Sequence, residues 1–268
     1  MLIMLILLLA AGCYVWSLRG RTGQPGLEEL RGWSYAHRGL HEPGCPENSM
    51  AAFRAALEAG YGIELDVHLL RDGGLAVIHD HLLKRTTGAE GTVEDLTVSQ
   101  LRDYRLEGTQ EMIPTLQQVL ELFDGKAPLI VELKAHGSSY GELCRRVCDV
   151  LKTYPGAYCV ESFDPRCVYW LKKHAPHIIR GQLAENFLKT KGGAVPWLLR
   201  LCLSCQLFNF VTRPDFVAYK FADRKRLGNV LVRKLWRMQG VSWTLKNQQE
   251  HADALAEGLI PIFEAYRP

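Results

Sequence analysis

The chain has 268 residues, 47% of them hydrophobic, with a formal net charge of +3. That length suffices for one large core, so a single domain of α/β-barrel or large β type is expected. The charge is too mild, and base-reading motifs too absent, for a nucleic-acid partner.

The eight cysteines are scattered at positions 13, 45, 144, 148, 159, 167, 202 and 205. Cys202-x-x-Cys205 has neither a second pair nor a suitably spaced histidine, which argues against a zinc site there. Cysteines this irregular read as reduced, buried small hydrophobes in a reducing compartment.

Residues 1–18 are uncharged and almost wholly apolar. At ~1.5 Å rise they cover ~27 Å, so a transmembrane anchor is expected, touching membrane lipid. A cleaved signal would carry Lys or Arg ahead of its apolar core, and none is present. Ala10-Ala11-Gly12-Cys13 is like a lipoprotein cleavage box, but the apolar run before it is short. Arg19, Arg21 and Arg31 follow the run, which puts the rest of the chain on the cytoplasmic side of a cell membrane, in single-pass topology.

Residues 19–32, with Gly20, Gly23, Pro25 and Gly26, read as a linker, and 33–268 as the folded domain. A strand at 33–36 ends in His37-Arg38-Gly39. Asn48 or Ser49 caps a helix over 50–59, which Gly60 stops and which carries Phe53, Ala56 and Leu57 on one face. Strand 63–69, the turn Arg71-Asp72-Gly73-Gly74 and a return over 75–78 form a hairpin. A turn centred between Asp72 and Gly73 pairs Asp66 with His79, and Glu64 shares a face with Asp66. A helix is expected over 98–104 and another, led by Ile113-Pro114-Thr115-Leu116, to 123. Strand–helix alternation follows, with strands at 129–133, 158–162, 178–183, 216–219, 241–244 and 259–263. Eight parallel strands make a distorted (β/α)8 barrel with the 75–78 arm as an antiparallel extra. Sites in such barrels lie at the C-terminal strand ends, where His37, Glu64, Asp66, Glu132, Lys134, Phe163 and Trp243 fall.

Glu132-Leu133-Lys134 repeats the alternation of Glu64-Leu65-Asp66. Three carboxylates converging in a barrel mouth repel unless a cation joins them, and oxygen-only ligands suit Mg2+ or Ca2+. Arg38 and Lys134 suit a phosphate anion. His37 and His79 supply groups that titrate near neutrality, fit for general acid and base. The set describes phosphoryl transfer.

His37-Arg38-Gly39, Pro46-Glu47-Asn48, Glu64-Leu65-Asp66-Val67, Val77-Ile78-His79-Asp80, Arg85-Thr86-Thr87-Gly88, Ile113-Pro114-Thr115-Leu116 and Val131-Glu132-Leu133-Lys134 resemble, in order, the glycerophosphodiester phosphodiesterase family. The resemblance implies a distorted (β/α)8 barrel that hydrolyses glycerophosphodiesters to glycerol 3-phosphate and an alcohol with a divalent ion. It implies that His37 and His79 are the acid/base pair, that Glu64, Asp66 and Glu132 bind metal, and that Arg38 and Lys134 hold phosphate. Ser162-Phe163-Asp164 and Val241-Ser242-Trp243-Thr244 look like the family's later strands, where aromatics line the substrate pocket. Many members end in Ile-Thr-Asp, where this chain has Ile262-Phe263-Glu264, so Glu264 is a candidate stand-in for the aspartate. Lys220 adds a cation at the mouth, which leaves the alcohol open.

The apolar stretch 196–210 reads most simply as a barrel helix packed on the core, otherwise as a lid or lipid-facing element. Residues 224–237 read as a basic amphipathic helix with a solvated outer face, or as a contact with anionic lipid. The alternatives to glycerophosphodiester hydrolysis are cleavage of a lysophospholipid and a catalytically weak phosphate-binding relative.

Overall fold

The computed structural model describes residues 1–189 and 195–268. Nine strands form one sheet: β1 Tyr35–His37, β2 Gly62–Leu69, β3 Leu75–Val77, β4 Leu129–Leu133, β5 Tyr158–Ser162, β6 Arg180–Ala184, β7 Phe216–Lys220, β8 Gln239–Leu245 and β9 Ile260–Phe263. Eight are parallel in the cyclic order β1-β2-β4-β5-β6-β7-β8-β9, closed by β9 against β1. The expected (β/α)8 barrel is therefore present, with β3 as the antiparallel arm on β2. The strands read as near-continuous apolar runs because helices cover their outer faces.

Local chemistry sets the first helix of the barrel, Met50–Glu58. The Ser49 side chain accepts from Ala52 N at 3.1 Å, and Ala52, Phe53 and Ala56 turn inward. Gly60, at φ +78°, ends the helical run with the left-handed residue that glycine takes without a Cβ clash. Helix Leu116–Phe123 opens on a capping box between Thr115 and Gln118. The expected helix over 98–104 is a 3-10 helix, Val98–Asp103.

Residues 70–113 build a small core beneath the β3 arm from Leu70, Ile78, Leu83, Val93, Leu101 and Ile113. The hairpin register differs from expectation by one residue. Val67 faces Val77, and Ile78 N donates to Asp66 O at 3.1 Å. The turn takes three residues between Leu70 and Gly74, whose backbones bond at 2.9 Å, so Asp66 stands opposite Ile78. His79 lies just past the arm and reaches the mouth from the loop.

Three other expectations change. No described helix is long and apolar enough to cross a membrane. The first helix, Leu2–Ser17, has 16 residues, ~24 Å of rise against ~30 Å of hydrocarbon. Leu18 instead turns into the protein, fully buried, and Trp236 Nε1 donates to Val15 O at 2.8 Å. The segment read as a linker is folded: the 3-10 helix Pro25–Leu30 puts Leu27 and Leu30 against the barrel floor with Ile130, Ile179 and Phe216. Arg21 pins it there through Asp215 at 2.5 Å. Helix Trp197–Ser204 does not bury its apolar residues in the core: only Ser204 is buried, while Trp197 and Leu198 are 66% and 63% exposed. Helix Leu227–Lys234 does lie on the outside, with Val232 inward and Arg233 paired to Glu257 at 2.9 Å.

Candidate active site

The carboxylates come from adjacent strands. Glu64 and Asp66 alternate with Leu65 on β2, and Asp66 is in register with Glu132 of β4. All three are buried, and one oxygen from each lies within 4.8 Å of the others. Crowded burial raises Glu64 well above the usual carboxylate range, with Asp66 and Glu132 adding to it. Burial, with Asp66 adding, pushes Glu132 up to about 7 against the pull of Lys134. Burial would raise Asp66 too, but Lys134, His79 and Arg38 outweigh it and hold it ionised. Three oxygen donors with a deficit of positive charge between them are able to hold a hard divalent cation.

Two basic side chains brace the trio. Lys134 Nζ lies 2.9 Å from Asp66 Oδ1 and 2.7 Å from Glu132 Oε1. Arg38 Nε lies 3.4 Å from Asp66 Oδ2, and Nη1 donates to Glu47 Oε1 at 2.9 Å. Arg38 and Asn48 both sit at positive φ (55° and 53°), with Asn48 N donating to Arg38 O at 2.9 Å. That turn lets Asn48 Nδ2 donate to Asp66 Oδ2 at 2.8 Å and Arg38 N to Glu64 Oε2 at 3.2 Å. Gly39 completes it at φ +81°, where a Cβ would meet the Ala52 backbone at 2.9 Å.

Each expected imidazole has its own carboxylate. His37 Nδ1 and Glu264 Oε2 are 2.6 Å apart, and His37 Nε2 is 3.8 Å from Glu64 Oε2. His79 Nδ1 is 2.6 Å from Asp80 Oδ1, and Asp80 is held by Arg85, which also grips Glu47. Burial lowers both histidines, while Glu264 and Asp66 respectively pull the other way. A carboxylate on Nδ1 fixes the tautomer and leaves Nε2 for the reaction.

A cavity of about 260 Å³ opens over this network, lined by His79, Glu132, Lys134, Ser162 and Phe163 among others. Phe163 meets Trp243 edge-on at 5.7 Å and Phe187 at 5.8 Å, while Lys220 Nζ lies 5.8 Å over Trp243. All nine residues expected at the site thus gather at one barrel mouth. Glu264, the candidate stand-in for the missing aspartate, lies at the same mouth as a partner of His37.

Sequence reasoning missed Glu161, buried on β5 and in register with Glu132. Its carboxyl is raised well above the usual range by burial, with Glu132 adding. The signal was available: Glu161 follows the same apolar alternation as Glu132. Asn48, Asp80 and Arg85 fall within the motifs given above, but the contacts Asn48–Asp66, Arg85–Asp80 and Arg85–Glu47 span 18, 5 and 38 residues, and no local pattern names them.

A family model described as the glycerophosphoryl diester phosphodiesterase family matches residues 37–263. A glycerophosphodiester phosphodiesterase of Caldanaerobacter subterraneus is 35% identical over 195 residues, 68% of this chain and 78% of that protein. A lysophospholipase D of Rattus norvegicus is 34% identical over 121 residues, 40% of this chain and 37% of that one. Among solved structures, an Oleispira antarctica phosphodiesterase in complex with sn-glycerol 3-phosphate shares the fold with a TM-score of 0.72 and 22% identity. The match covers 91% of this chain and 95% of the other.

Proposed function

The chain belongs to the glycerophosphoryl diester phosphodiesterase family, and from that premise we propose how its own residues carry the reaction. It hydrolyses glycerophosphodiesters to glycerol 3-phosphate and an alcohol. The observation that carries the residue roles is the buried carboxylate trio flanked by two imidazoles, each oriented by a separate carboxylate.

Glu64, Asp66 and Glu132 are the residues that would hold a Mg2+ or Ca2+ ion. Such an ion, when bound, neutralises charge on the phosphoryl oxygens. Arg38 and Lys134 add two cations fixed beside it, so the anionic diester meets charge that needs no rearrangement. Of His37 and His79, one takes the proton of the attacking oxygen and the other gives a proton to the departing alcohol oxygen. Glu264 and Asp80 stabilise whichever imidazole is charged. Phe163 and Trp243 border the side where the alcohol lies. His37→Ala or Glu64→Ala is expected to abolish turnover while far-ultraviolet circular dichroism stays native. Unchanged turnover in either variant would break these assignments.

A lipid phosphodiester such as a lysophospholipid is the second reading, favoured by the exposed apolar side chains of Leu2–Ser17 and Trp197–Ser204. Arg200 donates to Phe187 O, and Phe187 packs on Phe163, so the second helix is tied to the substrate cavity. In this reading both helices rest on the cytoplasmic face of a cell membrane, which eight free cysteines support. Full-length protein should float with phosphatidylglycerol-containing vesicles, and Leu198→Glu should weaken that flotation. Protein that stays at the bottom of the gradient would remove the lipid reading and leave the soluble diester.

A further inference from the structure

A second group of metal-ligating side chains faces the same cavity, and nothing in the hydrolysis uses it. His81 follows the β3 arm, Glu94 sits on the short 3-10 turn Val93–Asp95, and His136 follows β4 two residues after Lys134. One donor atom each from His81, Glu94 and His136 lies within 4.8 Å of the others. Glu94 is gripped from two sides: its Oε2 is 2.6 Å from His81 Nδ1 and its Oε1 is 2.8 Å from His68 Nδ1. His136 stacks on His81 with centroids 4.0 Å apart and planes 8° from parallel. All three line the cavity that Glu132 and Lys134 also line.

The donor set differs in kind from the oxygen-only trio. Two imidazoles and a carboxylate select a borderline-soft ion of the zinc class over magnesium or calcium. Three protein ligands leave one position for water or a substrate oxygen, the pattern of a reactive rather than a closed structural site. We propose that His81, Glu94 and His136 bind a zinc-class divalent ion at the edge of the substrate cavity, separate from the carboxylate trio.

An imidazole offers its lone pair in the ring plane, so two parallel rings cannot both aim at one ion. Loading therefore turns His136, the exposed member, out of the stack, while Glu94 keeps its hold on His68. The site is linked to the chemistry through His68, whose Nε2 lies 3.1 Å from the His79 carbonyl oxygen. Both ends of that link, Glu94 and the His79 backbone, move if the ion draws on Glu94.

Cobalt(II) is the probe, because its visible d–d bands report nitrogen ligands without any assay of turnover. Metal-stripped full-length protein is titrated with cobalt(II) beside His81→Ala, His136→Ala and Glu64→Gln, with excess magnesium present. The wild type and Glu64→Gln should show the bands. His81→Ala and His136→Ala should lose cobalt affinity by more than about 100-fold, since loss of a hydrogen-bonded support alone costs about 10–100-fold. Since His136 is exposed, its variant also separates loss of a ligand from loss of the fold. The proposal is overturned if the wild type shows no bands, if both histidine variants keep them, or if Glu64→Gln abolishes them.

Discussion

At the scale of single residues, the site is a balance of buried charge. Glu264 accepts from His37 Nδ1 and pulls its proton affinity up against burial. Glu264→Gln should therefore lower turnover by roughly 10–100-fold, as loss of an orienting partner does. It should also move the His37 limb of the pH–rate profile to lower pH, since the carboxylate that raised the imidazole is gone. A profile unchanged in position would show that Glu264 does not act on His37. Glu132 gives the second test. Its folded-state value near 7 lies above the ordinary 4.5, so the fold keeps a proton that the unfolded chain has released. Its contribution to stability is full below about pH 4.5 and is lost as pH rises through 7. In the proposed ligand set a divalent cation replaces that proton, so the rise in Tm on adding Mg2+ should be larger at pH 8 than at pH 5. Equal shifts at both pH values would remove Glu132 from the ligand set.

At the scale of elements, the 3-10 helix Pro25–Leu30 is part of the barrel rather than a tether. Leu30 is 1% exposed against the floor, so Leu30→Ala should cost about 2–5 kcal/mol in urea unfolding. A cost near zero would restore the linker reading. Why the sequence misled there is physical: Gly20, Gly23, Pro25 and Gly26 mark breaks in regular structure but do not say whether the irregular chain is packed. The strands were legible because β4 and β5 are buried on both faces, and their apolar runs matched the structure end to end. The hairpin register was not, since a centre at Asp72 and one between Asp72 and Gly73 differ by one residue and only the three-residue turn decides. The helix Trp197–Ser204 failed for another reason: apolar composition says that a surface is covered, and the expectation supplied the core as the cover. Candidate site side chains on strand ends could be read from alternation, whereas Glu161 shared the pattern and went unread. His81, Glu94 and His136 sit on loops, and only the folded 70–113 insertion brings them together.

At the scale of the molecule, eight parallel strands carry His37 from β1, Glu64 and Asp66 from β2 and Glu132 from β4 to one mouth, and the inserted β3 arm brings the second imidazole over it. Closing the barrel through β9 places Glu264 beside His37, 227 residues away in sequence. The proposed mechanism makes the reaction depend on a cation held by carboxylates that otherwise repel. The direct measurement is glycerol 3-phosphate release from glycerophosphocholine by the full-length chain, with Mg2+, with Ca2+ and with chelator. Release that needs either ion, stops with chelator and is absent in Glu64→Gln is the predicted result. Release that persists at full rate in chelator, or in Glu64→Gln, would contradict it.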